Sequence, residues 1–180
     1  MTVNTSRRGF LKAAAAASAV LVVGLRPDGA LAAGGNAAQI NPFVKIGADG
    51  RVIAIIKHFE KGQGPATGRS TLIAEEIGVT MDQIDYEFAP SNPEVYNNLA
   101  FGPFQGTGGS TAMSNSFMQY RTAGAAARAM ILEAAASATG ANAADLDIVD
   151  GMVTGAGDPA PLGQFVAAAA ALDAPAEPTL

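Results

Sequence analysis

A run of β-branched and apolar residues, Val52 to Ile56, stops just short of a glycine-rich segment, Gly62-Gln63-Gly64. Such a run predicts a buried strand. Apolar residues then recur at helical spacing from Ala66 to Ile77, with Pro65 suited to a first turn and Gly78 to a helix end. The chain must therefore pass from a central strand through a tight turn into a helix.

Two further segments predict strands beside this unit. Phe43 to Ile46 alternates apolar and polar residues, and Asp49-Gly50 predicts a hairpin turn into the strand at Val52. Asp82 to Phe88 alternates again. The order strand, strand, glycine turn, helix, strand predicts an α+β fold, with a small mixed or antiparallel sheet and helices packed on it.

The second half predicts a long loop and a long helix. Residues Ala89 to Gly109 are rich in Pro, Asn and Gly, and a loop of this length in a small domain is typical of a functional segment. An alanine-rich helix is predicted from Ala112 to Ala138, with Gly140 as its end. The remaining predicted elements are a hairpin and a short helix, at Leu146–Val149, Met152–Thr154 and Leu162–Leu172.

The first candidate site is Gly62-Gln63-Gly64. At a strand-to-helix turn, backbone amides and the helix dipole favour an anion, and glycine lets the backbone approach a phosphate. Gln63 offers a donor and an acceptor to a pterin or nucleobase edge. A tight turn without a ligand remains the alternative. A nucleotidase phosphate loop is disfavoured, because Gly62 and Gly68 enclose five residues rather than four and Arg69 replaces the expected lysine.

The second candidate site is Gly106-Thr107-Gly108-Gly109-Ser110-Thr111. We expect it to open the longest helix, with Ser110 or Thr111 as the N-cap. Free amides and hydroxyls at a helix start form an anion-binding turn. An ordinary capped loop is the alternative. Two such turns in one small domain predict a ligand with more than one phosphate or a long polar body.

Composition limits the chemistry. The chain has no cysteine and one histidine, which excludes disulfides, cysteine-ligated zinc, iron–sulfur clusters and histidine metal clusters. Without residues 1–32, which hold four basic residues and one acidic residue, 7 basic and 15 acidic residues remain, a net charge of −8. Nucleic-acid binding is therefore not expected.

The N-terminus predicts an export signal. Arg7 and Arg8 lie in Ser6-Arg7-Arg8-Gly9-Phe10-Leu11-Lys12, which matches a twin-arginine motif, and an apolar stretch runs from Ala13 to Leu25. Ala30-Leu31-Ala32 predicts cleavage after Ala32, with an uncleaved tether as the alternative. The expected organisation is a signal peptide over 1–32, a flexible lead-in over 33–42 and a domain over 43–180, located in the periplasm.

Two motifs carry a family resemblance. Phe59-Glu60-Lys61-Gly62-Gln63-Gly64 with Ala74-Glu75-Glu76, and Gln105 to Thr111 with Arg121 to Arg128, resemble the xanthine oxidase family of molybdenum hydroxylases. The chain is most similar to the beta-subunit type of isoquinoline 1-oxidoreductase. The resemblance covers essentially all of the predicted domain. Lys61 stands where relatives often have methionine.

The resemblance implies a subunit that binds molybdopterin cytosine dinucleotide and hydroxylates N-heterocycles or oxidises aldehydes, with water as the oxygen source. It implies that Gln63 and its flanking glycines contact the pterin or its phosphates, and that Gly108, Gly109, Ser110 and Thr111 hold the pyrophosphate. Implied partners are the remainder of the large subunit and a small [2Fe–2S] subunit, in accord with the absence of cysteine here.

Family large subunits are several times longer and carry a glutamate base near their C-terminus, so this chain is interpreted as a truncated N-terminal portion without catalytic or metal-ligating residues of its own. The alternatives are a non-catalytic exported ligand-binding module and a pseudogene product that does not fold. His58 and Glu60 are expected to close a strand rather than act in acid–base chemistry. Arg121 and Arg128 are expected to form ion pairs.

Overall fold

A computed structural model describes residues 19–25, 31–34 and 41–180. A five-stranded sheet has the order β2-β1-β3-β4-β5 and a second sheet has the order β6-β7-β8. The strands of the first sheet are β1 (Val20–Leu25), β2 (Leu31–Gly34), β3 (Asn41–Gly47), β4 (Val52–Ile56) and β5 (Ile84–Phe88). Those of the second are β6 (Asp147–Val149), β7 (Met152–Thr154) and β8 (Ala160–Pro161).

Within the described ranges, the helices lie mainly in the second half of the chain. The α-helices there are α1 (Pro65–Ile77), α2 (Pro93–Tyr96), α3 (Thr111–Ser114), α4 (Phe117–Thr139) and α5 (Val166–Ala169). Three 3₁₀ turns occupy Met81–Gln83, Ala143–Asp145 and Leu162–Phe165. None of the helices in the described part of the chain has the length and apolarity needed to cross a membrane.

The predicted α+β unit is confirmed. β3 and β4 form an antiparallel hairpin around the Asp49-Gly50 turn, and β5 pairs parallel to β4 after the crossover through α1. The sheet is therefore mixed. Helix α1 begins with Pro65 and ends at Gly78, which adopts the left-handed conformation (φ +88°) that stops a helix.

The helical layer is built by close approach rather than by large side chains. Helices α1 and α4 pack together, and a Cβ atom added at Gly124 would lie 2.8 Å from the Cβ of Glu76. The interior of α4 is mostly alanine, including Ala126, Ala127 and Ala135, none of which is exposed. The expected ion pairs are confirmed, since Arg121 pairs with Glu76 and Arg128 with Asp147.

The predicted long helix is corrected at its start. Helix α3 covers only Thr111–Ser114, and α4 begins separately at Phe117. Ser110 therefore precedes a single turn, whereas Ser116 precedes the long helix. The predicted helix over Leu162–Leu172 is also shorter, because a 3₁₀ turn replaces its first half. The predicted hairpin at Leu146–Thr154 is confirmed and gains β8 as a third strand.

The domain begins earlier than the predicted start at Phe43. Strands β1 and β2 belong to the same sheet as β3, and β1 lies between them. The predicted flexible lead-in over 33–42 is wrong at both ends, because β2 extends to Gly34 and β3 begins at Asn41. Arg7 and Arg8 lie outside the described residues, and cleavage after Ala32 stays a prediction.

Candidate functional site

A cleft of about 490 Å³ opens where the parallel strands β4 and β5 end. The chain leaving β4, the chain leaving β5 and the long loop before α3 form its walls. The lining residues are Ile56, Lys57, His58, Phe59, Lys61, Phe88, Ala89, Ser91, Gln105, Gly106 and Thr107. They include two lysines and no carboxylate, so this wall favours an anionic ligand.

The first glycine turn is closed by a carboxylate of the chain itself. Glu60 Oε1 accepts hydrogen bonds from the amides of Gly62 (2.7 Å) and Gly64 (3.2 Å), and Oε2 accepts one from Ala66 (3.2 Å). These bonds, the one from Gly64 foremost, hold the pKa of the Glu60 carboxyl below its ordinary value. The amides at the start of α1 thus already bind an anion, and their contact with a cofactor stays a prediction.

Gln63 is likewise engaged within the turn. Its Nε2 donates to the carbonyl of Phe59 (2.6 Å), and its Oε1 accepts from the amide of Lys61 (2.8 Å). The donor and acceptor that the sequence assigns to a pterin edge therefore brace the loop in this structure. The side chain is exposed. Each group retains a second hydrogen-bonding position.

The second glycine segment keeps its backbone amides open. Gly109 and Ser110 are exposed, and within the part of the chain that the structure describes neither amide donates a hydrogen bond. Both residues adopt left-handed backbone conformations, with φ of +60° and +56°. Thr111 differs, because its amide and its hydroxyl both donate to the carbonyl of Gly108, at 3.1 and 2.6 Å.

A buried asparagine fixes the shape of this second turn. Asn98 has no exposed surface, and its Nδ2 donates to the carbonyl of Gly106 (3.0 Å) and to the hydroxyl of Thr111 (2.8 Å). Its Oδ1 accepts from the amide of Ala100 (3.0 Å) and from the side chain of Asn115. One side chain therefore joins the loop, the turn and the segment between α3 and α4.

The two glycine segments meet at the cleft. The amide of Phe59, three residues before Gly62, donates to Thr107 Oγ1 of the second segment at 2.8 Å. Helices α1 and α3 also touch, since a Cβ atom at Gly68 would lie 2.8 Å from Met113 Cε. The sequence expectation that the segments act together is thus supported by their adjacency. The residues assigned to the cofactor do not themselves line the cleft, however, and the lining residues nearest to them are Lys61, Gly106 and Thr107.

A buried cationic cluster lies behind the cleft. Arg69 is 1% exposed, stacks on Tyr120 with its guanidinium carbon 4.4 Å from the ring centroid, and donates to the carbonyl of Ala112. Its Nη2 also lies 3.0 Å from His58 Nδ1. Because a guanidinium only donates, Nδ1 accepts and the imidazole hydrogen must lie on Nε2. No group in the described ranges accepts from His58 Nε2.

Two ionisable groups on the cleft wall have strongly shifted pKa values. Burial, then the charge of Arg69, lowers the pKa of Lys57 to about 7. Burial, then Arg69 and Lys57, lowers the pKa of His58 to about 4. Lys57 Nζ donates to the carbonyl of Asn97 and to Gln119 Oε1, both at 2.7 Å. None of the four ion pairs in the described residues includes Lys57 or Arg69, and an anion bound beside Lys57 would favour its protonated form.

Sequence reasoning missed most of this cluster. Lys57, Arg69 and Tyr120 were not predicted as site residues, and His58 was assigned only to the end of a strand. The available signal was the sudden change from Ile56 to two basic residues directly before a glycine turn. The position of Arg69 beneath the cleft depends on the packing of α1 against α3 and could not be seen in the sequence.

Comparison with known proteins identifies relatives of the whole chain. The model of the molybdopterin cofactor-binding domain matches residues 3–179. Isoquinoline 1-oxidoreductase subunit beta of Brevundimonas diminuta is 33% identical over 162 residues. That match covers 84% of this chain and 20% of the relative. The chain therefore spans about a fifth of the curated relative it matches.

Solved structures share the fold. Quinoline 2-oxidoreductase from Pseudomonas putida 86 matches with a TM-score of 0.50 and 19% identity, over 83% of this chain and 16% of that one. A Cu,Mo-CO dehydrogenase matches with a TM-score of 0.53 and 18% identity, over 83% of this chain and 19% of that one. At such low identity, these likenesses show the fold alone.

Proposed function

Because this chain belongs to the molybdopterin cofactor-binding domain family of molybdenum oxidoreductases, we propose that its cleft holds molybdopterin in the cytosine dinucleotide form. The observation that carries the proposal is that the chain directly before Gly62 and the start of the second glycine segment line one cleft, whose walls hold Lys57 and Lys61 and no carboxylate. The chain would supply the N-terminal part of the binding domain.

The residues present fit such a cofactor. His58 Nε2 is a buried donor without an acceptor in the described chain, and a pterin or phosphate offers many acceptors. The open amides of Gly109 and Ser110 suit a phosphate group. Glu60 argues against a phosphate at the first turn, so we assign the phosphates to the second turn and assign Gln63 to the pterin edge.

When bound, the cofactor would supply a molybdenum centre for two-electron oxidation, with water as the source of the oxygen atom. This chain's own residues would bind and orient it. Lys57, buried and supported by Asn97 and Gln119, would neutralise phosphate charge, and the Phe59–Thr107 bond would keep the two walls of the cleft together. Proposed substrates are N-heterocycles or aldehydes.

We propose that the chain alone is not catalytic and works with the remainder of a large subunit and a small [2Fe–2S] subunit. The proposal draws on its span of about a fifth of the curated relative. Exposed aromatic side chains near the cleft support a covering partner. Phe59 is 65% exposed, Phe88 52% and Phe104 62%, an unusual density of large apolar surface.

The nucleotide released from the purified protein tests the cofactor assignment. The full chain, produced in a bacterium that makes molybdenum cofactors, is hydrolysed with mild acid, and nucleotides and oxidised pterins are separated by chromatography. We expect equimolar CMP and pterin. GMP in place of CMP would contradict the cytosine form. Folded protein with neither compound would contradict binding by this chain, and binding without activity when all subunits are present would favour the ligand-binding module.

We further propose export to the periplasm by the twin-arginine route, on the strength of Arg7 and Arg8 within their motif. Cell fractionation of a producing strain tests this. Replacement of both arginines with lysine should abolish the periplasmic fraction while cytoplasmic protein accumulates. Equal periplasmic amounts of the lysine variant would contradict the assignment.

A further inference from the structure

Strand β1 overlaps the apolar stretch that the sequence assigns to a removable leader. It pairs antiparallel with β2 on one side and with β3 on the other, so it is an inner strand of the sheet. The pairing with β3 runs from Val20 opposite Gly47 to Leu25 opposite Asn41. The amide of Ala48, in the β3–β4 turn, donates to the carbonyl of Ala19 at 3.1 Å.

Three side chains of β1 are fully or almost fully buried. Leu21 and Val23 have no exposed surface and belong to the main hydrophobic core, on which α4 and α5 pack. Val22, on the opposite face, is 2% exposed. Val20 is different at 38% exposed. A segment that served only as an export signal would not be expected to fill the core of the domain.

Cleavage after Ala32 would remove this strand. The bond after Ala32 lies inside β2, between the residues paired with Gly24 and Val23. Its hydrolysis would excise all of β1, divide β2 and leave β3 as a sheet edge with its inner face uncovered. Loss of several fully buried apolar side chains is the kind of change that abolishes folding in a domain of this size.

We propose that β1 and β2 are permanent parts of the folded domain, and that Ala30-Leu31-Ala32 is not a processing site in this protein. The apolar part of the leader is kept as a core strand. Only seven residues, 13–19, then separate Lys12 from Val20. That is the lower end of the roughly 7–15 residues of a signal-peptide apolar region. The inference is independent of cofactor binding and concerns the chain wherever it resides.

Intact mass of the full chain tests retention directly. The protein is purified separately from cytoplasmic and periplasmic fractions of the same culture and weighed by mass spectrometry, with N-terminal sequencing. We expect every folded form to begin at or before residue 19. Folded protein that begins at Ala33 would overturn the proposal. The distribution between fractions reports on export, so a failure of export and a failure of retention are separate results.

A matched pair of variants tests the structural role. Val23→Asp places a charge at a site without exposed surface, and Val20→Asp places the same charge three residues earlier at a partly exposed site. We expect Val23→Asp to lose the cooperative thermal transition or to lower Tm by more than about 10 °C, and Val20→Asp to stay within about 3 °C of the parent. Two unshifted transitions would overturn the proposal, because a dispensable leader would tolerate either charge.

Discussion

The two glycine turns are both rich in glycine, but they differ in whether their backbone amides are already hydrogen-bonded. At the first turn, the Glu60 carboxylate accepts from the amides of Gly62 and Gly64, so the turn is electrostatically satisfied. At the second turn, the amides of Gly109 and Ser110 remain open within the described chain. Glycine content therefore predicts where several backbone amides lie close together. The position of the nearest carboxylate determines whether those amides are available to a ligand.

The charge pattern of the sequence explains this difference. Glu60 lies four residues before Gly64, within reach of the start of α1. No acidic residue occurs between Glu94 and Glu133, a stretch that contains the whole second turn. The second turn is held instead by neutral hydrogen bonds from Asn98. No carboxylate of this stretch therefore competes with an anionic ligand for the open amides.

The largest expected effect is on the neutral support of the second turn. Asn98→Ala removes a fully buried side chain and leaves several of its polar partners without their hydrogen bonds. We therefore expect the free energy of unfolding to fall by about 2–4 kcal/mol. Chemical denaturation measures it. The control is Asn97→Ala, which changes a less buried neighbour whose side chain donates to the carbonyl of Gly102. Equal stability of Asn98→Ala and the parent would refute the supporting role of Asn98.

The next effect concerns the closed turn. Glu60→Gln removes the negative charge that competes with a ligand, so the first turn should become more like the second. We expect the affinity for pyrophosphate to rise about three- to tenfold, measured by isothermal titration calorimetry. Glu75→Gln, an exposed carboxylate on α1, alters net charge equally and should leave the affinity nearly unchanged. A Glu60→Gln variant that binds no better than the parent would show that Glu60 does not compete.

The two turns should also differ in backbone strain. Ser110 adopts a left-handed conformation (φ +56°) that costs a non-glycine residue about 1 kcal/mol, whereas the first turn meets the same demand with Gly64 (φ +83°). Ser110→Gly should therefore stabilise the fold by roughly 0.5–1 kcal/mol, and Gly64→Ala should destabilise it by about 1 kcal/mol. Thermal melts of both variants provide the measurement. A destabilised Ser110→Gly would show that the hydroxyl matters more than the strain.

Mild acid should destabilise the cleft wall that holds His58. Burial lowers the pKa of His58 to about 4, below its ordinary value of 6.5. The unfolded chain therefore binds more protons between these values, and stability falls as pH drops from about 6.5 toward 4. Between pH 7 and 6 the free energy of unfolding should fall by less than about 1 kcal/mol. Denaturation curves of parent and His58→Gln test this, and identical pH dependence would contradict the shifted pKa.

The sequence predicted the fold well wherever local pattern and tertiary structure agree. The β3–β4 hairpin at Asp49-Gly50 and the α1 boundaries at Pro65 and Gly78 follow from turn and cap chemistry that acts over a few residues. The break between α3 and α4 was missed, although Ser114, Asn115 and Ser116 are residue types that favour helix ends over helix interiors. In the structure, Asn115 contacts Asn98 at this break.

The N-terminal strand β1 was not predicted. Val20 to Leu25 has the apolar composition of both a signal peptide and a buried strand, and only its pairing with β3 distinguishes the two. The assigned site residues stay a prediction. Glycine motifs revealed both turns, but the cleft between them is lined by Lys57, His58 and Thr107, whose roles depend on long-range contacts.

The central claim is that both glycine segments serve one cleft and one anionic ligand. An NMR titration of the isotope-labelled full chain with cytidine 5′-diphosphate tests it most directly, since His58 is the chain's one histidine and its side-chain signal needs no assignment. The account predicts that His58 Nε2 and the amides of Lys61, Gly106 and Thr107 shift along a single binding curve. Separate curves for the two segments, or a folded chain whose His58 signal does not move, would contradict it.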